Sequence, residues 1–199
     1  AVESTRAQCP GVTFEVSSSL ASRVLRSLEE ELLVIRRPTV FYTADWEAEY
    51  AQELEAESLV ARRNPILVPE PRVLLSRWAQ EYKDRYRWNL RRSFNVPNPF
   101  GPDLKSVQQA LDGLLKPKCY AFTAAAAASV TAPFVDVDTM DLYVSDKAGA
   151  ENLRASVSGK SVGPDLRVIY PFDSGVFMYS SLKDGIPVVS EIQAYLDLF

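Results

Sequence analysis

A serine-capped amphipathic helix that ends on an arginine pair and runs straight into β-prone sequence, residues 17–40, constrains this chain more than any other segment. Val16-Ser17-Ser18-Ser19 offers hydroxyl N-caps. Leu20, Val24, Leu25, Leu28 and Leu32 then recur at three- and four-residue steps. That spacing stripes one helix face with apolar side chains and predicts that the face is buried. The opposite face carries Ser18, Ser22, Arg23, Arg26 and Ser27, hydroxyls and guanidiniums able to meet phosphate oxygens and base edges. LEEELLVIRR followed by PTVFYTAD reads as helix, basic turn and strand, the order of a recognition helix and wing in a winged helix-turn-helix. A core helix with a solvated outer face has the same signature.

The pattern returns further along. LEAESLVARR at 54–63 echoes LEEELLVIRR at 28–37, and the second copy leads into the β-prone run 65–69. Arg36 and Arg37 at the first exit, and Arg62 and Arg63 at the second, are therefore all candidates for gripping a DNA backbone. Two related helix-and-wing units, or one unit with an echo, fit equally.

Pro65, Pro69 and Pro71 mark the next boundary, because proline disfavours helix at itself and at the preceding residue. Val73, Leu74, Trp78, Tyr82 and Tyr86 then fall at helical steps, predicting a long helix with an aromatic seam. Residues 72–92 hold seven basic side chains against two acidic ones, whereas 45–57 hold six acidic and no basic ones. Arg91 and Arg92 close the basic helix and are candidates for phosphate contact. The stretch 96–102, with three prolines and a glycine, predicts a linker.

Beyond it, Asp103 caps a helix through Leu114, and Cys119–Thr123 opens an alanine-rich helix that stops near Pro133. Strands are predicted at 139–144, 166–171, 176–180 and 186–189, with a helix at 148–156 between the first two and a capped helix from Ser190. The expected architecture is α+β: residues 1–71 a winged-helix DNA-binding part, 72–102 a basic connector, and 103–199 an α/β module with a small mixed sheet.

Composition narrows the function. A net charge of −4 means that any nucleic-acid contact comes from a local patch. Two cysteines, Cys9 and Cys119, far apart and without CxxC spacing, suggest neither a disulfide framework nor a zinc site, and fit a reducing, cytoplasmic setting. No apolar run is long enough to span a bilayer. Histidine is absent, which excludes His-based triads, imidazole bases and imidazole metal sites.

The strongest enzyme candidate is Asp136 and Asp138, one residue apart, as a metal-dependent nucleotidyl transfer would need on a strand. The phosphate cradle such chemistry requires is replaced by Phe122-Thr123-Ala124-Ala125-Ala126. Phosphate-loop and nucleophile-elbow motifs are absent as well. No catalytic residue, metal or cofactor is expected.

CYAFTAAAAASVTAPF, MDLYVSD, DLRVIYPFDSGVF and above all VVSEIQAYLDL resemble, in order and spacing, the C-terminal domain of the AbiE-type antitoxin regulators. The resemblance covers Leu74–Phe199, and Ser17–Pro69 more loosely. It implies an N-terminal winged helix, binding to inverted repeats in double-stranded DNA, and a C-terminal half linked to neutralising a nucleotidyltransferase-like toxin. It implies no catalytic residues. A protein-binding module that neutralises such a toxin with little DNA affinity is the alternative, and a nucleotidyltransferase-like enzyme a more distant one.

Overall fold

A computed structural model describes residues 17–36, 66–115, 119–132 and 136–199. The expected sites Arg37, Arg62 and Arg63, the second copy of the arginine-paired exit and Cys9 lie outside the described residues. The chain divides into two compact units, and the division falls between Arg77 and Trp78. Each unit is α+β or contributes to an α+β whole; together the described residues hold six α-helices and a mixed six-stranded sheet.

In the smaller unit, helix α1 spans Ser18–Glu30 and is capped as expected, Leu20 N donating to Ser17 Oγ at 3.2 Å. Its exit is a Schellman turn. Leu33 N bonds Leu28 O and Leu32 N bonds Glu29 O, both at 2.9 Å, with Leu32 at φ 57° where glycine is usual. Strand β1 (Ile35–Arg36) pairs antiparallel with β2 (Ile66–Leu67), placing Ile35 opposite Leu67. The leucine stripe of α1 is not buried as its spacing predicts: the helix has no buried residue, and Leu20 and Val24 are nearly half exposed. Amphipathic spacing fixes which side chains share a face, and says nothing of what covers that face. Among the described residues of this unit, Val34, just past the helix, is buried.

Helix α2 (Pro71–Leu90) begins in the smaller unit and continues into the larger. There follow β3 (Ser93–Val96), α3 (Leu104–Leu115), β4 (Tyr120–Phe122), α4 (Ala124–Thr131), β5 (Thr139–Val144) and α5 (Lys147–Ser156). The chain continues through β6 (Asp165–Ile169), a 3-10 turn (Ser174–Phe177), β7 (Ser181–Lys183), β8 (Ile186–Val188) and α6 (Glu191–Leu198). The sheet order is β3-β6-β5-β4-β8-β7, with β5–β6 and β4–β8 parallel and the other neighbours antiparallel. Asp184 and Gly185, both at positive φ, turn the β7–β8 hairpin.

Strand β5 organises the core. Met140, Leu142 and Val144 alternate with Asp141 and Tyr143, so one face of the strand is apolar and the other polar, and all five are buried. Val107, Leu111 and Leu115 of α3 and Leu153 of α5 join the apolar cluster.

Four expectations change here. The proline-rich stretch 96–102 is not a linker: Val96 ends β3, Asn98 and Gly101 are buried, and Asn98 Nδ2 donates to Gly101 O at 2.8 Å. Asn98 O also accepts from Val162 N at 2.7 Å, so the turn is packed into the larger unit. Residues 120–122 form a strand instead of opening the alanine helix, and 174–177 form a 3-10 turn where a strand was expected. Asp173 caps that turn, accepting from Gly175 N at 2.7 Å, and this local bond outcompetes the β propensity of Val176 and Phe177. Cys119 is buried, as a core residue should be, but its sulfur is disulfide-bonded and not a free thiol, against the expectation from cysteine spacing. Among the described residues no helix is long and apolar enough to cross a membrane.

Candidate functional site

The expected DNA-reading side chains are displayed on α1. Ser18, Ser22 and Arg26 follow one another at four-residue steps with Arg23 beside them, and all four are exposed. Arg36 stands in β1, immediately after the helix exit. Capped helix, short turn and antiparallel ribbon thus follow in chain order within one unit. Glu31 closes the helix, 3.5 Å from Arg77 in an exposed ion pair.

Arg91 and Arg92 belong to the larger unit, after α2, and both are exposed. Arg92 is less free than expected. Its guanidinium lies 4.2 Å from the centre of the Tyr170 ring, and its backbone carbonyl accepts from Tyr170 N at 3.2 Å.

The aromatic seam of α2 is real only in part. Tyr82 and Tyr86 turn inward, whereas Val73 and Trp78 are exposed. The inward pair meets a polar cluster that sequence reasoning missed. Arg167 of β6 stands beside Asp141 of β5 in register and grips it with two hydrogen bonds, Nε to Oδ1 at 2.7 Å and Nη2 to Oδ2 at 2.5 Å. Burial pushes the Asp141 carboxyl above its ordinary range against the pull of Arg167, while the bonds to Asp141 hold the Arg167 guanidinium cationic. The buried hydroxyl of Tyr86 has no hydrogen-bond partner among the described residues, and burial, then the Asp141 charge, hold it protonated.

Asp197 of α6 is the second buried carboxylate. The Thr123 hydroxyl donates to it, Gln193 Nε2 donates to its Oδ1 at 2.9 Å, and the Tyr143 and Tyr82 hydroxyls lie near enough to favour its charged form. Gln193 Nε2 also lies 2.7 Å from the Tyr82 hydroxyl. Burial dominates these bonds and pushes the Asp197 carboxyl up to about 6. Asn89 completes the cluster, with Nδ2 at 3.4 Å from the Tyr143 hydroxyl and Oδ1 accepting from Phe172 N at 2.8 Å. The partners are gathered from α2, β5, β6, α6 and the Thr123 that follows β4, elements far apart in sequence, which is why no local motif announced them.

Asp136 and Asp138 precede β5 and are exposed, so they are loop residues and not a strand pair aimed at one face. Among the described residues no group of three His, Cys, Asp or Glu side chains could hold a metal ion. The alanine segment is less restrictive than its composition suggests. Ala124 adopts φ 47°, the left-handed conformation expected to need glycine, at the start of α4. The Thr123 hydroxyl beside it does not cap α4, being spent on Asp197.

Two clefts of about 440 and 590 Å³ open on the larger unit, sharing Glu81, Arg85 and Asp173. Tyr82 and Gln193 line the larger cleft, so the Asp197 cluster lies directly behind its wall.

Compared with protein-family models, curated proteins and solved structures, the chain matches none.

Proposed function

We propose that this chain is a DNA-binding transcriptional regulator without catalytic activity. In this reading α1 is the recognition helix and the β1–β2 ribbon the base of a wing, with an inverted-repeat operator as target. The supporting observation is the display on α1: Ser18, Ser22, Arg23 and Arg26 exposed on a capped helix that leads into an antiparallel ribbon. An antitoxin role in a toxin-antitoxin or phage-defence locus is what the family resemblance adds. The net charge of −4 makes the prediction sharper, because affinity must come from this patch and not from a diffuse field.

The test is fluorescence anisotropy of the full chain on its own upstream DNA and on a shuffled duplex of equal length, at two salt concentrations. Tighter binding to the upstream DNA, falling steeply with salt, is expected. Equal affinity for both duplexes removes the sequence-reading role. The rival reading, a protein-binding module that neutralises a toxin, has in its favour the clefts of the larger unit.

A further inference from the structure

Strand β3 is the outer strand of the sheet, and its edge carries a row of guanidiniums and aromatic rings. The antiparallel register sets Ser93 against Ile169 and Phe94 against Val168, and the bond from Tyr170 N to Arg92 O extends the ladder by one residue. Alternate residues share a face of a strand, so Arg92 and Phe94 stand on one side of this edge. The Arg92 guanidinium lies 4.2 Å from the Tyr170 centroid and 6.0 Å from that of Phe172. From α5, the Arg154 guanidinium lies 5.3 Å from the Phe94 centroid. Trp88 meets Phe172 edge to face at 6.1 Å, and these two rings are 57% and 59% exposed.

The rings brace the two cations without neutralising them. Among the described residues no carboxylate lies within ion-pair reach of Arg91, Arg92 or Arg154, all of them exposed. The neighbouring acids are engaged elsewhere: Asp84 with Arg87, Asp173 with Arg85 and Glu151 with Lys147, while Glu81 is engaged as well. Uncompensated positive charge therefore sits beside open aromatic faces. A duplex keeps the faces of its bases stacked on one another, and an acidic polypeptide would meet the arginines but leave the rings idle. An unpaired strand brings both a phosphate and a free base face with each nucleotide.

We infer that this edge of the larger unit binds single-stranded nucleic acid, its bases stacking on Trp88 and Phe172 and its phosphates meeting Arg91, Arg92 and Arg154. Stacking and charge carry no base code, so the contact tolerates any sequence. It stands on the larger unit alone and holds whether or not α1 reads DNA.

The full chain is titrated by fluorescence anisotropy against a short labelled single strand of mixed sequence, the matching duplex and a labelled polyglutamate peptide, over a salt series. The single strand is expected to bind tightest. Trp88→Ala and Phe172→Ala should each weaken it about fivefold or more, whereas Trp88→Phe, which keeps a ring, should retain most of the affinity. Arg154→Gln, at an exposed helix position, should flatten the log-affinity against log-salt line by about 0.7. Thermal melting of each variant separates lost contact from lost fold. Arg23→Ala with Arg26→Ala should leave single-strand affinity unchanged, which keeps a failure of the α1 reading distinct from a failure of this one. No binding, equal or tighter binding of the duplex or of polyglutamate, undiminished affinity in folded Trp88→Ala and Phe172→Ala chains, an unaltered slope in Arg154→Gln, or loss of the single strand in the α1 variant would each overturn the inference.

Discussion

Thr123 and Asp197, 74 residues apart, meet inside the larger unit, the threonine hydroxyl donating to the carboxylate. Burial holds the Asp197 carboxyl at about 6 in the folded chain against an ordinary 3.8. Folding therefore favours its protonated form. The stabilisation is fully present below the unfolded value and is lost as pH rises through about 6. Between pH 4 and 7 this group should cost about 1–3 kcal/mol of stability. Urea unfolding at several pH values should show Asp197→Asn removing that slope, and parallel curves for the two proteins would refute the assignment.

Asp141 and Arg167 make a different prediction. Arg167→Met leaves a carboxylate that is 4% exposed without its cation, which should destabilise the fold by about 2–4 kcal/mol. Partial solvent exposure of the Arg167 side chain, 32%, keeps the loss below that of a fully buried pair. Adding Asp141→Asn should recover much of the loss in denaturant titrations. A double variant no better than the single would mean that the pair is not energetically coupled.

Arg23→Ala should weaken operator binding by roughly 1–3 kcal/mol if the side chain reads a base edge. The exposed position on α1 leaves stability unaffected, so thermal melting separates lost contact from lost fold. Unchanged affinity would move the reading face elsewhere.

Replacing Arg91 and Arg92 together should flatten the log-affinity against log-salt line by about 1–2 units. The contact of Arg92 with the Tyr170 ring assigns the larger share to Arg91. Single variants measured over a salt series distinguish them, and an unaltered slope in the double variant would place both outside the DNA contact.

Tyr179→Gly should raise the melting temperature, because glycine relieves a φ of 59° at a side chain with little packing to lose. About 1 kcal/mol of stabilisation is expected. A drop in melting temperature would show that the tyrosine packs more than its exposure indicates.

Local signals in the sequence carried well into the structure. The Ser17 cap, the Asp103 cap that accepts from Ser106 N at 2.9 Å, and the strand 139–144 all stand where residue chemistry puts them. Short apolar runs did not. Tyr120–Phe122 is three residues long, too few for periodicity to separate strand from helix, and its pairing with β5 and β8 decides the matter. The smaller cleft was hidden for another reason: Trp88 of α2 and Phe172 are far apart in sequence, and only the fold brings their rings edge to face. The fate of the leucine stripe on α1 was illegible because a moment points a face without supplying what it faces.

The sheet order carries a consequence for how the chain folds in time. Strand β4 can pair with β5 once the α4 segment between them has emerged, but its other edge waits for β8, more than 60 residues further on, and β3 waits similarly long for β6. During synthesis the nascent chain therefore carries an open strand edge, Tyr120–Phe122, until residues near 186 have emerged. Such late, non-local closure slows folding and leaves a window for pairing with the wrong chain. The arrival of the β7–β8 hairpin, nucleated by its own Asp184-Gly185 turn, ends that window.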